Sequence, residues 1–323
     1  MMPFSVSTGA ISNWIFVTGM IRSGTTFLGK ILSYPISVDY IHEPFHGAYT
    51  LPDRLQLLPR YVRRGQQSEN VQDYRTQIEK LLSYEIGTRT SSYEGDPWQR
   101  KLIKAVVGSR GPFYLRLAKL NPFHTAAVIK DPIARLVTEF LFLEFGVKPV
   151  IIVRHPVSLA ASLQRLGWYP EVHEFRVQPD LIEDYLQDEE NVLHRSWPNR
   201  LLEAMGAWRL TYKVLLQQAA RHEGWQIVTH EELSREPVVV AKRLYEALEL
   251  PWSERVADQV RAWTSSSNPA KARAGRVQDF KRDSANIFET RRDSVPVETR
   301  REIFDVVKDV ALKLYPRESF AID

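Results

Sequence analysis

Five short runs constrain this chain more than any other feature of it. Trp14 to Thr18, Val38 to Ile41, Ala126 to Ile129, Val150 to Val153 and Gln226 to Thr229 are rich in apolar and β-branched residues and lack the strict alternation of a strand with one wet face. Strands of that kind need cover on both faces. The cover is legible between them: Arg200 to His222 repeats Leu201, Met205, Trp208, Tyr212, Leu215 and Ala219 at alternating steps of four and three, the stripe of an amphipathic helix. Helical patterns also span Val71 to Ile86, Pro132 to Phe145, Val157 to Leu166, Pro237 to Leu248 and Val297 to Leu314, two of them opening on a proline suited to a first turn. Strands alternating with helices predict an α/β chain with three layers, α/β/α, around a central, mainly five-stranded parallel sheet.

With 323 residues, 44% of them hydrophobic, the chain can bury a full core. No internal repeat or low-complexity linker divides it, so one domain, 1–323, is expected, with polar, poorly periodic insertions at about 47–100 and 167–197 over the sheet edge. The absence of cysteine removes disulfides, thiolate metal sites and thiol nucleophiles together. A net charge of +4 suits an anionic ligand and is too small to argue for nucleic acid. Met1 to Asn13 carries no cationic leader, and no apolar run reaches the length of a membrane span, so a cytoplasmic protein is expected.

Open parallel sheets bind ligands at the carboxyl ends of their strands. Here those ends are charged: a loop holding Arg22, then His42-Glu43, Lys130, Arg154 and His230-Glu231. The loop, Val17-Thr18-Gly19-Met20-Ile21-Arg22-Ser23-Gly24-Thr25-Thr26, has the spacing of a nucleoside-triphosphate loop but no lysine after its second glycine. Its glycines allow a tight turn and close backbone approach, and the N–H groups of Ser23 to Phe27 at a helix start suit an anion, with Thr25 and Thr26 adding hydroxyl donors. A nucleoside triphosphatase also needs an acidic strand end for Mg²⁺. The fourth strand ends in Arg154 instead, so cations stand where magnesium machinery would be, and no metal is expected.

"RSGTTFL" followed by "VRHPVSLAAS" resembles the two nucleotide motifs of sulfotransferases that use 3′-phosphoadenosine 5′-phosphosulfate, PAPS. The resemblance implies a P-loop-like fold and a loop, Arg22 to Phe27, that wraps the 5′-phosphosulfate. It also implies that Arg154 and Ser162 hold the 3′-phosphate. Eight residues return a helical side chain to the same face, so a guanidinium and a hydroxyl could share one phosphate. "THEELSREP" places His230 near the adenine, and "DFKRDSANIF" supplies Lys281 and Arg282 as C-terminal cations. Phe27 stands where the family often has Trp, which implies that it covers the adenine. The nearest pattern is that of tyrosylprotein sulfotransferases and their bacterial relatives, with Glu43 as general base and Lys130, in "KDP", as stabiliser of the leaving phosphate or sulfuryl oxygens; His42 and His46 remain rival bases.

The resemblance thus implies sulfuryl transfer from PAPS to a hydroxyl, or less readily an amine, with release of 3′-phosphoadenosine 5′-phosphate, PAP. The acceptor is expected to be a small molecule or a glycan, met by a lid built from the two insertions and their aromatic residues Tyr49, Tyr93, Trp98, Phe113, Trp168, Tyr169 and Trp197. Two rival readings are a P-loop phosphotransferase with Asp279 or Asp283 on magnesium, and a nucleotide-binding module without catalysis.

Overall fold

Each apolar run forms a strand: β1 Asn13–Thr18, β2 Val38–His42, β3 Ala126–Lys130, β4 Lys148–Val153 and β5 Gln226–Thr229. They make one parallel sheet in the order β2-β3-β1-β4-β5. The computed structural model describes residues 9, 11–46, 60–63, 65–66, 69–88, 90, 97–265 and 291–322. The helices are α1 Thr25–Leu32, α2 Glu69–Leu82, α3 Trp98–Val107, α4 Arg110–Lys119, α5 Thr138–Phe145, α6 Pro156–Leu166, α7 His173–Arg176, α8 Pro179–Leu181, α9 Glu190–Leu193, α10 Arg200–Arg221, α11 His230–Arg235, α12 Pro237–Ala247, α13 Glu254–Thr264 and α14 Val297–Ala311. No helix among the described residues is long and apolar enough to cross a membrane.

The chain divides into two compact units, Met1–Thr18 with Leu28–Val150, and Gly19–Phe27 with Ile151–Asp323. In the first, β3 pairs with both β1 and β2, and the register sets Val17 and His42 opposite Lys130. Three strands therefore finish at one level, which is why their polar end residues gather. Tyr74, Ile78 and Leu81 of α2, spaced i, i+4, i+7, pack with Phe16, Ile41, Ile129 and Phe140. A buried Asp39 accepts hydrogen bonds from Tyr84 Oη at 2.7 Å and Asn121 Nδ2 at 2.7 Å and faces His124 Nδ1 at 2.9 Å. A charge placed among apolar neighbours is tolerable only with such a full set of partners.

In the second unit, α10 starts at Asn199, whose side chain accepts the Leu202 N–H at 2.9 Å. It buries Trp208, Tyr212 and Leu215 and packs against α6 and α14. Its polar flank is tied down by Glu189, which bonds Arg209 Nε at 2.8 Å and Lys213 Nζ at 2.7 Å.

Two expectations shift. The pattern from Pro132 to Phe145 is not one helix: Arg135–Val137 is a 3₁₀ turn and α5 begins at Thr138. The Asp131 carboxylate accepts the N–H groups of Ile133 and Ala134 at 2.9 and 3.3 Å, closing a turn where the helix was expected to begin. Residues 167–197, expected as a poorly periodic insertion, carry short elements of their own. They form α7, α8, a π turn at Ile182–Leu186, a 3₁₀ turn at Gln187–Glu189 and α9, with Phe175, Leu181, Leu186 and Leu193 buried. Turns of three to five residues are too short for a 3.6-residue period to show.

Candidate active site

The loop after β1 is shaped by its glycines. Gly19 has φ +146, and a Cβ there would stand 2.2 Å from the Ile152 carbonyl oxygen, so no other residue fits. Tyr212 of α10 clamps the loop to β4: its hydroxyl donates to Ile152 O at 2.9 Å, accepts the Met20 N–H at 3.1 Å and lies 2.9 Å from Ser23 Oγ. The Ser23 N–H closes a turn on Met20 O at 3.1 Å. Both polar groups of Ser23, expected to face a ligand, are thus engaged inside the loop. The first turn of α1, from Thr25 through Thr26 and Phe27, points its N–H groups out of the helix end. The Phe27 ring lies 6.2 Å from that of Trp263 in α13.

Arg154 is 2% exposed and fixes the same loop from below. Its Nη1 donates to Arg22 O at 2.9 Å, while Nε and Nη2 donate to Ser158 Oγ at 3.1 and 2.9 Å. The partner is therefore Ser158, one helical turn from the strand end, and not Ser162. Ser162 Oγ is buried with no hydrogen-bond partner among the described residues. His230 starts α11 with its ring against Gly24, where a Cβ would meet His230 Cδ2 at 2.9 Å. Next to it, Glu231 accepts the Tyr315 hydroxyl at 2.8 Å and the His155 N–H at 3.2 Å. Burial pushes that carboxyl up to about 7.

Arg22 holds a left-handed backbone, φ +68. Burial, and then the positive charge of Arg22, bring Arg291 down to about 10. Lys281 and Arg282 lie outside the described residues, as do Asp279 and Asp283. Arg291, close enough to Arg22 to feel its charge, is a described cation of the C-terminal segment that the sequence reading did not single out, although the Arg291-Arg292 pair marks it. Two guanidiniums that repel each other are relieved by an anion between them.

In the first unit, the Glu43 N–H extends the β2–β3 ladder to Lys130 O at 2.8 Å, and the chain then turns through a left-handed residue, Glu43 at φ +48. A non-glycine residue in that region stores strain and marks a position held for a purpose. Lys130 Nζ, 1% exposed, is hydrogen-bonded to Glu43 Oε1. His42 Nδ1 meets Tyr40 Oη at 2.9 Å and its Nε2 lies 3.9 Å from Glu43 Oε1. Burial, then Lys130, Arg110 and Lys30, hold His42 well below its usual value; His46 is lowered too, chiefly by burial. Asp131 is pushed up to about 7 by burial and by Glu43, although it accepts the Phe45 N–H at 2.9 Å. Lys30 of α1 lies 3.6 and 3.4 Å from the ring centres of Tyr40 and Tyr114 and falls to about 7, through burial and the nearby Arg110 and Lys130.

The aromatics expected on the acceptor side have different surroundings. Phe113 packs edge-on against Tyr114 at 5.2 Å, and Trp98 is exposed. Trp168 is exposed, Tyr169 stacks under Arg200, and Trp197 packs over Gly206 with Arg195 on its face. Tyr49 and Tyr93 lie outside the described residues. Among the described residues no three His, Asp or Glu side chains are grouped to hold a metal ion.

The sequence pattern of the sulfotransferase family matches residues 14–254. No curated protein sequence matches the chain. Among solved structures, the chain is similar to the sulfotransferase domain of the Synechococcus PCC 7002 olefin synthase, at 15% identity and TM-score 0.46, covering 96% of this chain and 98% of that one. It is likewise similar to the sulfotransferase domain from the curacin biosynthetic pathway, at 15% identity and TM-score 0.48, covering 93% and 97%. A mouse sulfotransferase complexed with PAP aligns at 12% identity and TM-score 0.38, covering 96% and 88%.

Proposed function

The chain belongs to the sulfotransferase family, and from that premise we propose that it moves the sulfuryl group of PAPS to a hydroxyl, or less readily an amine, of a small-molecule or glycan acceptor and releases PAP. One observation carries the choice of donor: Arg154 anchors the loop carbonyl of Arg22, and Arg22 and Arg291 repel each other in the free chain. A phosphosulfate bound at the loop and a 3′-phosphate on Arg154 relieve these half-buried and buried like charges without requiring an acidic strand end. The unpartnered Ser162 Oγ supports the same reading, since a second phosphate oxygen would give it the partner it lacks.

In this reading Glu43 takes the acceptor proton as the new oxygen–sulfur bond forms and the bond from sulfur to the 5′-phosphate oxygen breaks. An alcohol is too weak an acid to ionise unaided at neutral pH. His42 and His46 are poorer candidates, because burial and surrounding cations oppose the imidazolium that a base must become. As Glu43 gains the proton it loses its hold on Lys130, whose ammonium is then available to the charge that develops on the transferring and leaving groups. Such a donor contributes about 3 kcal/mol in a water-poor site.

Release of PAP from PAPS, measured with water alone and with mixed alcohols and sugars, tests the proposal. Wild type is expected to turn over, and Glu43→Gln to lose at least about 100-fold. No release by wild type under any of these conditions, or equal release by the variant, overturns it.

A further inference from the structure

Between Asp96 and Asp131 the chain contains no acidic residue, yet it carries seven lysines and arginines. The same stretch holds the densest set of exposed apolar side chains among the described residues. Trp98, Leu102 and Val106 follow one another at i, i+4, i+8 on α3, and Leu117 of α4 and, just beyond its end, Leu120 and Phe123 are exposed as well; all six lie between 49% and 73% exposed. On α3 the cationic positions Lys101 and Lys104 lie on one side of the apolar stripe, since 100° per residue puts them about 60° and 120° from Trp98 and Leu102 runs the other way. On α4, Arg116 is exposed beside Leu117 and Leu120, while Leu115 and Ala118 on the opposite face are buried.

A water-soluble surface does not keep six large apolar side chains within and just after two successive helices unless something covers them. The charge pattern says what. A second copy of this chain would bring the same cations against these, whereas a bilayer with anionic headgroups accepts the apolar stripe between its acyl chains and attracts the flanking ammonium and guanidinium groups to the headgroup level. Neither helix can cross a membrane: each has ten residues, about 15 Å. They suit lying in the interface.

We propose that α3 and α4 form a docking surface for an anionic lipid bilayer, with Trp98, Leu102, Val106, Leu117 and Leu120 as the inserting side chains and Lys101, Lys104 and Arg116 as headgroup contacts. The docking stands independently of the reaction assigned to Glu43. It does bear on it, because α4 also carries Tyr114, whose ring lies 4.9 Å from Tyr40 and 6.2 Å from His42. A surface that takes up α4 is one helix away from the Glu43–Lys130 pair.

Co-sedimentation of the full chain with vesicles tests the surface, comparing phosphatidylcholine alone with phosphatidylcholine containing phosphatidylglycerol. Wild type is expected to partition at least about tenfold more strongly onto the anionic vesicles, and to be released in part by salt. A Trp98→Ser, Leu102→Ser, Val106→Ser variant and a Lys101→Glu, Lys104→Glu variant are each expected to lose that binding while keeping the wild-type melting temperature, because the replaced side chains are exposed or half-buried. No preference for anionic vesicles in wild type, or binding unchanged in both variants, overturns the proposal. So does sedimentation without lipid showing a dimer that the serine variant dissolves, since the stripe then serves a second copy.

Discussion

Arg22 and Glu43 are two of only five non-glycine residues with positive φ among those described, and both lie in the segments that follow strands β1 and β2. Their strain is tolerable because each is held from outside: Arg22 through its carbonyl by Arg154, Glu43 through its carboxylate by Lys130. That second link makes a stability prediction separable from an activity one. Glu43→Ala strands a fully buried ammonium and is expected to cost about 3 kcal/mol in urea denaturation, whereas Glu43→Gln keeps an oxygen for Lys130 and costs less. Both should cut PAP release at least about 100-fold, and an alanine variant as stable as wild type would contradict the pairing. Glu231 makes a second prediction, on pH. Its folded-state value near 7 lies above the usual 4.5, so between those values the folded chain keeps a proton that the unfolded chain has given up, and raising the pH through that window weakens the fold. Asp131 acts in the same sense, and His155, lowered to about 3 by burial and then Arg292, in the opposite one. Comparing wild type with Glu231→Gln at pH 5 and pH 8 isolates the term: wild type should lose roughly 3 kcal/mol more over that interval than the variant. Equal losses would count against the buried carboxyl.

At the scale of elements, α10 shows how a favourable local rule is overridden. Gly206 in its interior would ordinarily be improved by alanine by about 1 kcal/mol. Here a Cβ would meet the Trp197 indole at 2.5 Å and Val172 at 3.1 Å, so Gly206→Ala is expected to lower stability by about 1–3 kcal/mol, and a raised melting temperature would refute the packing. Elements of this kind were legible to different depths. The strands were readable to within about two residues because burial on both faces leaves mostly apolar, β-branched side chains, broken by a few polar ones such as Asp39. Helices α2, α6, α10 and α12 announced themselves by their stripes, while α3 and α4 did not, since their exposed apolar residues blur the contrast between a wet and a dry face. Tyr212 was legible as a core ring and not as the clamp of the loop, because periodicity reports where a side chain points and says nothing of what its hydroxyl meets. Ser158 was not legible as the partner of Arg154 for a related reason: periodicity does not tell which hydroxyl of α6 the guanidinium meets, and that contact leaves the expectation for Ser162 and the 3′-phosphate where it stood.

For the whole molecule, the charged strand ends were the most informative part of the sequence, and the two units display them differently. One holds a neutral histidine, a carboxylate and a buried lysine at the level where β2 and β3 finish. The other holds a rigid, glycine-shaped loop among arginines. Gly19→Ala, by driving a Cβ into the Ile152 carbonyl, is expected to abolish nucleotide binding and to lower the melting temperature sharply; a variant that binds PAP normally would contradict the loop geometry. The central claim is that the chain recognises a donor carrying a 3′-phosphate. Calorimetric titration with PAP, with adenosine 5′-phosphate and with ATP plus Mg²⁺ tests it most directly. The account predicts that PAP binds at least about 100-fold more tightly than adenosine 5′-phosphate, that Arg154→Ala removes most of this difference, and that ATP with Mg²⁺ is the weaker ligand. Equal affinity for PAP and adenosine 5′-phosphate in wild type, or tighter binding of ATP with Mg²⁺, would contradict it.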